Sequence, residues 1–331
     1  MTVVVVTGAG AGVGRAVADM FAAEGCDVAL LARSRERLDV AAAAARRHSV
    51  RALPLPTDMA DPDAVEAATE ATERELGPID IWVNDAMATI FAPVHQITPA
   101  EFRRATEVTY LGTVYGTMAA LRRMRPRNRG TIINIGSALS YRAIPLQSAY
   151  CGAKYAIRGF TDSLRCELLH DRSRIHLTMV HLPAVNTPQF DWARNRLGRL
   201  PQPVPPAFQP EVIARAVRFA ARHRRREVWV GWPTVKAILA NKIAPGLIDH
   251  YLARTGYRSQ TTDTPVPPDF PGNLFAPGEG HAGAHGRFDA IAKSHSSELW
   301  TSRHAQALAI GALVIGAAGL RALLGRALLR R

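Results

Sequence analysis

With 331 residues, 47% hydrophobic and 21% charged, the chain has the composition of an ordinary globular protein with room for one large core and an appendage. The net charge of +13 rests on arginine, since lysine occurs only four times, and no basic–aromatic motif accompanies it, so nucleic acid is not an expected partner. Three cysteines (Cys26, Cys151, Cys166) exclude a disulfide framework and lack metal-ligand spacing; no metal is expected, and an apolar strand in place of a signal peptide predicts a reduced, cytoplasmic body.

Thr2 to Thr7 (TVVVVT) is a continuous β-branched run, the pattern of a strand buried on both faces. The run Gly8-Ala9-Gly10-Ala11-Gly12-Val13-Gly14 follows and opens a helical stretch to about Gly25. Asp27 to Ala32 predicts a second strand, Ser34 to His48 a helix, and Val50 to Leu55 a third strand. Asp61 caps a helix over Pro62 to Leu76 with proline at its first position, and Ile79 to Asn84 predicts a fourth strand. Thr98 caps a long helical region running to about Met124, Thr131 to Gly136 predicts a fifth strand, and Gln147 to His170 a long helix. Ile175 to His181, a helix over Pro210 to His223, and Glu227 to Val230 complete the alternation. Strands alternating with helices of this length predict an α/β fold, a doubly wound parallel sheet whose ligands bind at the carboxyl strand ends. The glycine run, Asn84, Ser137 and Pro183 all follow directly on predicted strands and converge on that edge.

After about Gly231 the alternation stops. Pro233 to Ala253 reads as helical, and Thr255 to Ser302, rich in Pro, Gly, His and Ser, reads as an irregular arm with apolar anchors at Phe270, Leu274, Phe275, Phe288 and Trp300. Ala305 to Leu320 is almost uncharged and precedes Arg321, Arg326, Arg330 and Arg331. An interfacial helix or weak membrane anchor and a helix packed on the protein or another subunit both fit it. The expected division is a catalytic domain over 1–254, a Pro/Gly-rich extension over 255–303 and a terminal apolar, basic helix over 304–331.

Three local patterns carry chemistry. Gly8, Gly12 and Gly14 fit Gly-x-x-x-Gly-x-Gly: glycines permit a tight turn and close backbone approach to a pyrophosphate, and the helix behind them offers its N-terminal amides. Tyr150 and Lys154 stand one helical turn apart, where the ammonium would favour the phenolate, and Ser137 supplies a hydroxyl to hold a substrate oxygen. The second strand ends Leu31-Ala32-Arg33-Ser34 with Arg35 and Arg37 beyond; lacking an acid for a ribose 2′-hydroxyl and offering Arg33 for a 2′-phosphate, it points to NADP(H) over NAD(H).

Thr7-Gly8-x-x-x-Gly12-x-Gly14, Asn84 after the fourth strand, Ser137, Tyr150-x-x-x-Lys154 and Pro183-Ala184-Val185-Asn186-Thr187-Pro188 together resemble the short-chain dehydrogenase/reductase family over about residues 2 to 231. The resemblance implies a Rossmann fold, with Tyr150 as acid/base, Lys154 on the nicotinamide ribose and Ser137 orienting the substrate carbonyl. It places Thr7, Val13 and the glycines at the cofactor, Asp58 at the adenine, Asn84 and Pro183 at the cofactor wall, and Thr187 at the carboxamide. The sequence departs from the family at three points. Asn84-Asp85-Ala86-Met87 stands where Asn-Asn-Ala-Gly is usual, Ala184 replaces a glycine, and Thr109 occupies the position of the fourth catalytic residue, an asparagine, where its hydroxyl would hold a water near Lys154. The expected function is an NADP-dependent oxidoreductase for a lipophilic carbonyl or alcohol, its pocket walled by Ile90, Phe91, Val94, Leu139, Tyr141, Ile144, Phe190 and Trp192. The alternative is a non-catalytic, membrane-associated scaffold or sensor on the same fold. Family members often pair through the two long helices, so a homo-oligomer is expected.

Overall fold

Alternate valines of the first strand serve two different cores. In the computed structural model, which describes residues 1–267, 269–278 and 283–299, Val4 and Val6 face one hydrophobic cluster and Val3 and Val5 the other. This strand, β1 (Val3–Thr7), lies third from one edge of a seven-stranded sheet with β2 (Asp27–Ala32), β3 (Ala52–Pro56), β4 (Ile79–Asn84), β5 (Thr131–Ser137), β6 (His176–Leu182) and β7 (Glu227–Trp229). The spatial order is β3-β2-β1-β4-β5-β6-β7 and every pairing is parallel, so the order reverses between β1 and β4. Pro54 and Pro56 sit on β3, an edge strand, where a missing amide costs no ladder bond on the open side.

Helices cover both faces: α1 (Gly12–Ala23), α2 (Arg35–Arg46) and, further along the chain, Pro210–Arg222 on the first core; α3 (Pro62–Leu76) and two long helices, Gly112–Met124 and Ser148–His170, on the second. Thr98 caps its helix as expected and does so in a capping box, with Glu101 returning to the Thr98 amide at 2.9 Å. The single helix expected from Thr98 to Met124 is instead broken into α4 (Pro99–Thr106), a π turn (Glu107–Leu111) and α5 (Gly112–Met124). A Cβ on Gly112 would collide with Met59, and Thr109 is tied sideways to Ala88, so the chain widens by one residue there. The tyrosine–lysine pair rides on α6 (Ser148–His170), and α7 (Pro210–Arg222) leads to β7.

The predicted helical stretch after Gly231 is two helices, α8 (Trp232–Ile243) and α9 (Pro245–Ser259), divided where Pro245 cannot continue α8. Because α9 runs to Ser259, the domain boundary expected after residue 254 falls inside a helix. The extension is anchored at intervals. Thr261–Pro265 pairs antiparallel with Arg199–Pro201, Leu274 is fully buried beside Ala88 and Val108, Phe288 packs edge-on to Phe190, and Leu299 joins the first core. The predicted terminal helix over 304–331 lies outside the described residues.

Candidate active site

The carboxyl ends of β1, β4, β5 and β6 meet at the point where strand order reverses, and the site is built there. Gly8 (φ +74°) and Gly12 (φ +58°) occupy left-handed backbone that disfavours side chains, and a Cβ on Gly14 would overlap the Gly8 carbonyl. That cradle stands at the start of α1. Thr7 stands beside it but points inward: its hydroxyl accepts from the amides of Asp85 and Ala86, both at 3.0 Å, lashing β1 to the loop after β4. Val13 faces the adjoining cavity.

That cavity, of about 600 Å³, contains the nicotinamide-end candidates: Gly8, Gly12, Val13, Ser137, Tyr150, Lys154, Pro183 and Thr187 all line it. Tyr150 lies deep within it, and burial raises its phenol above the ordinary tyrosine range, while Ser137 opposes that rise. Ser137 ends β5; its oxygen accepts from the Leu139 amide at 3.1 Å, which leaves the hydroxyl proton free to donate forward. Lys154 is buried, donates to the Ile135 carbonyl at 2.6 Å, and has its pKa lowered by desolvation to about 8. Its nitrogen is 5.5 Å from the Tyr150 ring centre, and burial outweighs the lowering of the phenol pKa expected from the lysine charge.

Asp85 is the residue that sequence reasoning passed over. Its carboxyl lines the same cavity, accepts from the Gly14 amide, is raised to about 6 by burial, and in turn holds the Lys154 pKa higher than desolvation alone would leave it. The signal was present as an acid in place of the second asparagine of the family motif.

Two expected site residues turn away. The Asn84 side chain faces the interior, accepting from the Trp82 indole at 2.7 Å and donating to Thr117 at 3.0 Å and Asn134 at 2.9 Å. It braces β4 against β5 and α5 and does not line the cavity. Thr109 donates to the Ala88 carbonyl at 3.0 Å and accepts from the Ala88 amide at 2.9 Å. With its proton spent on backbone, the hydroxyl fixes the loop after β4 and is not turned to Lys154, which corrects the expected relay role. Behind Ser137, His181 approaches its carbonyl at 3.2 Å and Glu227 at 3.4 Å, while Glu227 also receives Tyr141 and, at 2.9 Å, Trp229. This buried brace joins residues 137, 181 and 227 across three strands, a proximity that no local motif encodes.

A smaller cavity, where the adenosine end of a cofactor is expected, is lined by Gly10, Arg33, Ser34, Arg37, Asp58, Met59 and Met87. Asp58 accepts from the Ala60 amide at 3.0 Å and pairs with Arg104, which, with Arg33, holds its carboxyl below the usual range despite burial. The extension reaches this end. Arg33 donates to the carbonyls of Asn273 and Leu274, Arg37 donates to the Gly278 carbonyl and stacks 4.1 Å over Trp192, and the Gly12 amide donates to Gly283 at 3.1 Å. Met87 faces both cavities and so shapes the wall between them.

A glycine cradle before α1, an arginine pair at the end of β2 and a serine, tyrosine and lysine gathered at one sheet edge agree with the family model for the short-chain dehydrogenases, which matches residues 2–196. The chain belongs to the short-chain dehydrogenase/reductase family. It is similar to an uncharacterised oxidoreductase of Bacillus subtilis, 28% identical over 316 residues that span 95% of this chain and 88% of the relative. A fatty acyl-CoA reductase of Acinetobacter baylyi is 28% identical over 228 residues, 68% of this chain and 75% of that one. The solved alcohol dehydrogenase of Thermococcus sibiricus, complexed with 5-hydroxy-NADP, superposes with a TM-score of 0.58 at 25% identity, covering 70% of this chain and 96% of the other. This short-chain dehydrogenase is therefore an NAD(P)-dependent oxidoreductase. Among the described residues no helix is long and apolar enough to cross a membrane.

Proposed function

We propose that this enzyme is an NADP(H)-dependent reductase or dehydrogenase for a lipophilic carbonyl or alcohol. The observation that carries the substrate reading is the wall of the larger cavity. Leu139, Ile144, Phe190 and Trp192 of the expected wall line it, joined by Pro203, Val204, Ile248 and Leu252. Ile90, Phe91, Val94 and Tyr141, also expected there, do not line it; Ile90 and Phe91 are core and Val94 faces solvent. The proline-rich loop after Pro201 forms one side through Gln202–Pro206.

Tyr150 and Ser137 direct two hydroxyl donors to the place a carbonyl oxygen would occupy between them, where negative charge develops during reduction. Tyr150 yields its proton to that oxygen, or receives one in the reverse direction. Lys154, held by Ile135 and charged below about pH 8, stabilises the phenolate left behind. Asp85 holds the lysine proton in place. The glycine cradle, Arg33, Asp58, Pro183 and Thr187 would hold the dinucleotide, whose nicotinamide supplies or accepts the hydride. Arg33, Ser34 and Arg37, with no acid at the end of β2, support NADP(H) over NAD(H).

The test is NADPH oxidation measured with a homologous series of aliphatic and aromatic aldehydes and ketones. We expect kcat/KM to rise with chain length as apolar surface enters the cavity, by roughly a factor of three to four per buried methylene. A flat series, or a preference for charged metabolites, refutes the lipophilic reading.

A further inference from the structure

The helical pair after the sheet exposes apolar side chains that a free surface seldom shows. On α8, Trp232, Leu239 and Ile243 recur along one side with relative exposures of 51%, 46% and 83%, and on α9, Leu247 and Tyr251 are exposed at 73% and 64%. Their spacing of four and seven residues places each set in a single stripe. Of the fifteen residues in α9 only Gly256 is buried, so this helix contributes little to the core. Exposed cations share these faces: Lys236 stands between Trp232 and Leu239, Arg254 and Arg258 continue the side of Leu247 and Tyr251, and these three and Lys242 pair with no acid among the described residues. Asp249 is the only acid on either helix and is bound by Arg142 at 2.5 Å. The surface thus carries exposed apolar and cationic side chains together.

The same two helices form one wall of the substrate cavity. Ala237 and Ala240 of α8, and Ile248, Tyr251 and Leu252 of α9, line it. Tyr251 belongs at once to the exposed stripe and to the cavity wall, so the apolar surface continues from the outside of the molecule into the site.

We infer that α8 and α9 form a docking face for an anionic lipid bilayer, seated by Leu239, Ile243 and Leu247 and steered by the neighbouring Lys and Arg, and that the lipophilic substrate enters from that bilayer between the two helices. The apolar stripe enters the headgroup boundary, and the cations meet phosphate and carboxylate headgroups, while Asp249 offers no repulsion because Arg142 neutralises it. A neutral bilayer would offer the first interaction without the second. The substrate route rests on the lipophilic reading given above; the docking face does not.

Flotation of the full chain with vesicles of phosphatidylcholine alone and of phosphatidylcholine with phosphatidylglycerol tests the face. We expect binding to the anionic vesicles that falls by about ten-fold or more in Leu239→Ser/Ile243→Ser/Leu247→Ser, none of which lines the cavity. Lys242→Gln/Arg254→Gln/Arg258→Gln is expected to lose about a hundred-fold on anionic vesicles and little on neutral ones. Unchanged turnover of a short, water-soluble aldehyde verifies the fold of the serine variant, and slower turnover of a vesicle-embedded long-chain aldehyde tests the entry route. The inference fails if the wild type does not float, or if the serine variant floats as well as the wild type, which would assign membrane binding to another segment. It also fails if sedimentation shows the serine substitutions splitting a dimer while flotation is unchanged, which would make this face a contact between copies. Vesicle binding without lipophilic turnover would remove the substrate route alone; lipophilic turnover without vesicle binding would remove the docking face alone.

Discussion

The two ends of the cofactor groove are built differently. At the nicotinamide end, Ser137, Tyr150 and Lys154 hang from β5 and α6, and Lys154 and Ser137 take their hydrogen bonds from backbone 19 and two residues away. At the adenosine end, Arg33 and Arg37 reach carbonyls 240 to 241 positions along the chain. The catalytic end is consequently a property of the domain, and the adenosine end a joint product of the domain and its extension. Chemistry that tolerates little displacement is placed on strand and helix ends, while cofactor selection is exposed to whatever holds the arm in place.

Removing the phenol at the catalytic end breaks that comparison most strongly. Tyr150→Phe is expected to lower kcat by about 10²- to 10⁴-fold with NADPH affinity retained, measured by single-turnover kinetics and cofactor fluorescence. A variant that loses affinity and keeps kcat would move Tyr150 from acid/base to a packing role. The second test is the anchor of the extension. Glu101 is buried between Arg194 at 2.7 Å and Arg196 at 2.9 Å, and Arg194 also grips Asp269 and the Phe270 carbonyl. Glu101→Gln is expected to cost about 3 kcal/mol in urea unfolding, because two arginines lose their buried counter-charge. The sign with pH follows from the carboxyl, held down at about 2 against an ordinary 4.5 by its hydrogen bonds to Thr98, Arg196 and Arg194 despite burial. Its contribution is present above pH 4.5 and is lost as pH falls through about 2, so wild type and variant converge in acid.

At the adenosine end the expected effect is smaller and selective. Arg33→Ala should lower kcat/KM for NADPH by about 10- to 100-fold, the worth of one charged hydrogen-bonded contact, and leave NADH within a few-fold. Equal losses for both cofactors would mean that Arg33 serves the extension rather than a 2′-phosphate. The smallest effect is a displacement of a pH profile. Asp85 holds the Lys154 pKa up, so Asp85→Asn should move the alkaline limb of the reduction profile, set by lysine deprotonation near 8, to lower pH. An unmoved limb would separate Asp85 from Lys154 and leave it a structural ligand of Gly14.

Much of this arrangement was legible in the sequence because it is periodic or local. The β-branched run at Val3–Thr7, the helix with Tyr150 and Lys154 one turn apart, and the glycine run each obey a short-range steric or hydrogen-bonding rule, and strand–helix alternation then allows few topologies. Thr98 announced a helix start in the same way. What failed to read through was side-chain direction at positions that look alike in a motif. Asn84 and Thr109 have the right types and places, yet both spend their polar atoms on neighbours brought near only by the packed sheet: Asn134 on β5 and the Ala88 backbone.

By itself the sequence determined the order of the sheet elements, the cradle and the serine–tyrosine–lysine set, since local sterics and binary patterning carry that information. Tertiary structure alone decided that Asp85 would answer Lys154, that His181 and Glu227 would brace Ser137, that the extension would grip Arg33 and Arg37, and that α8 and α9 would both expose and enclose apolar surface. Each of these depends on groups far apart in the chain, whose pKa values and hydrogen-bond partners are set by burial and by which neighbours arrive, quantities that exist only once the chain has folded.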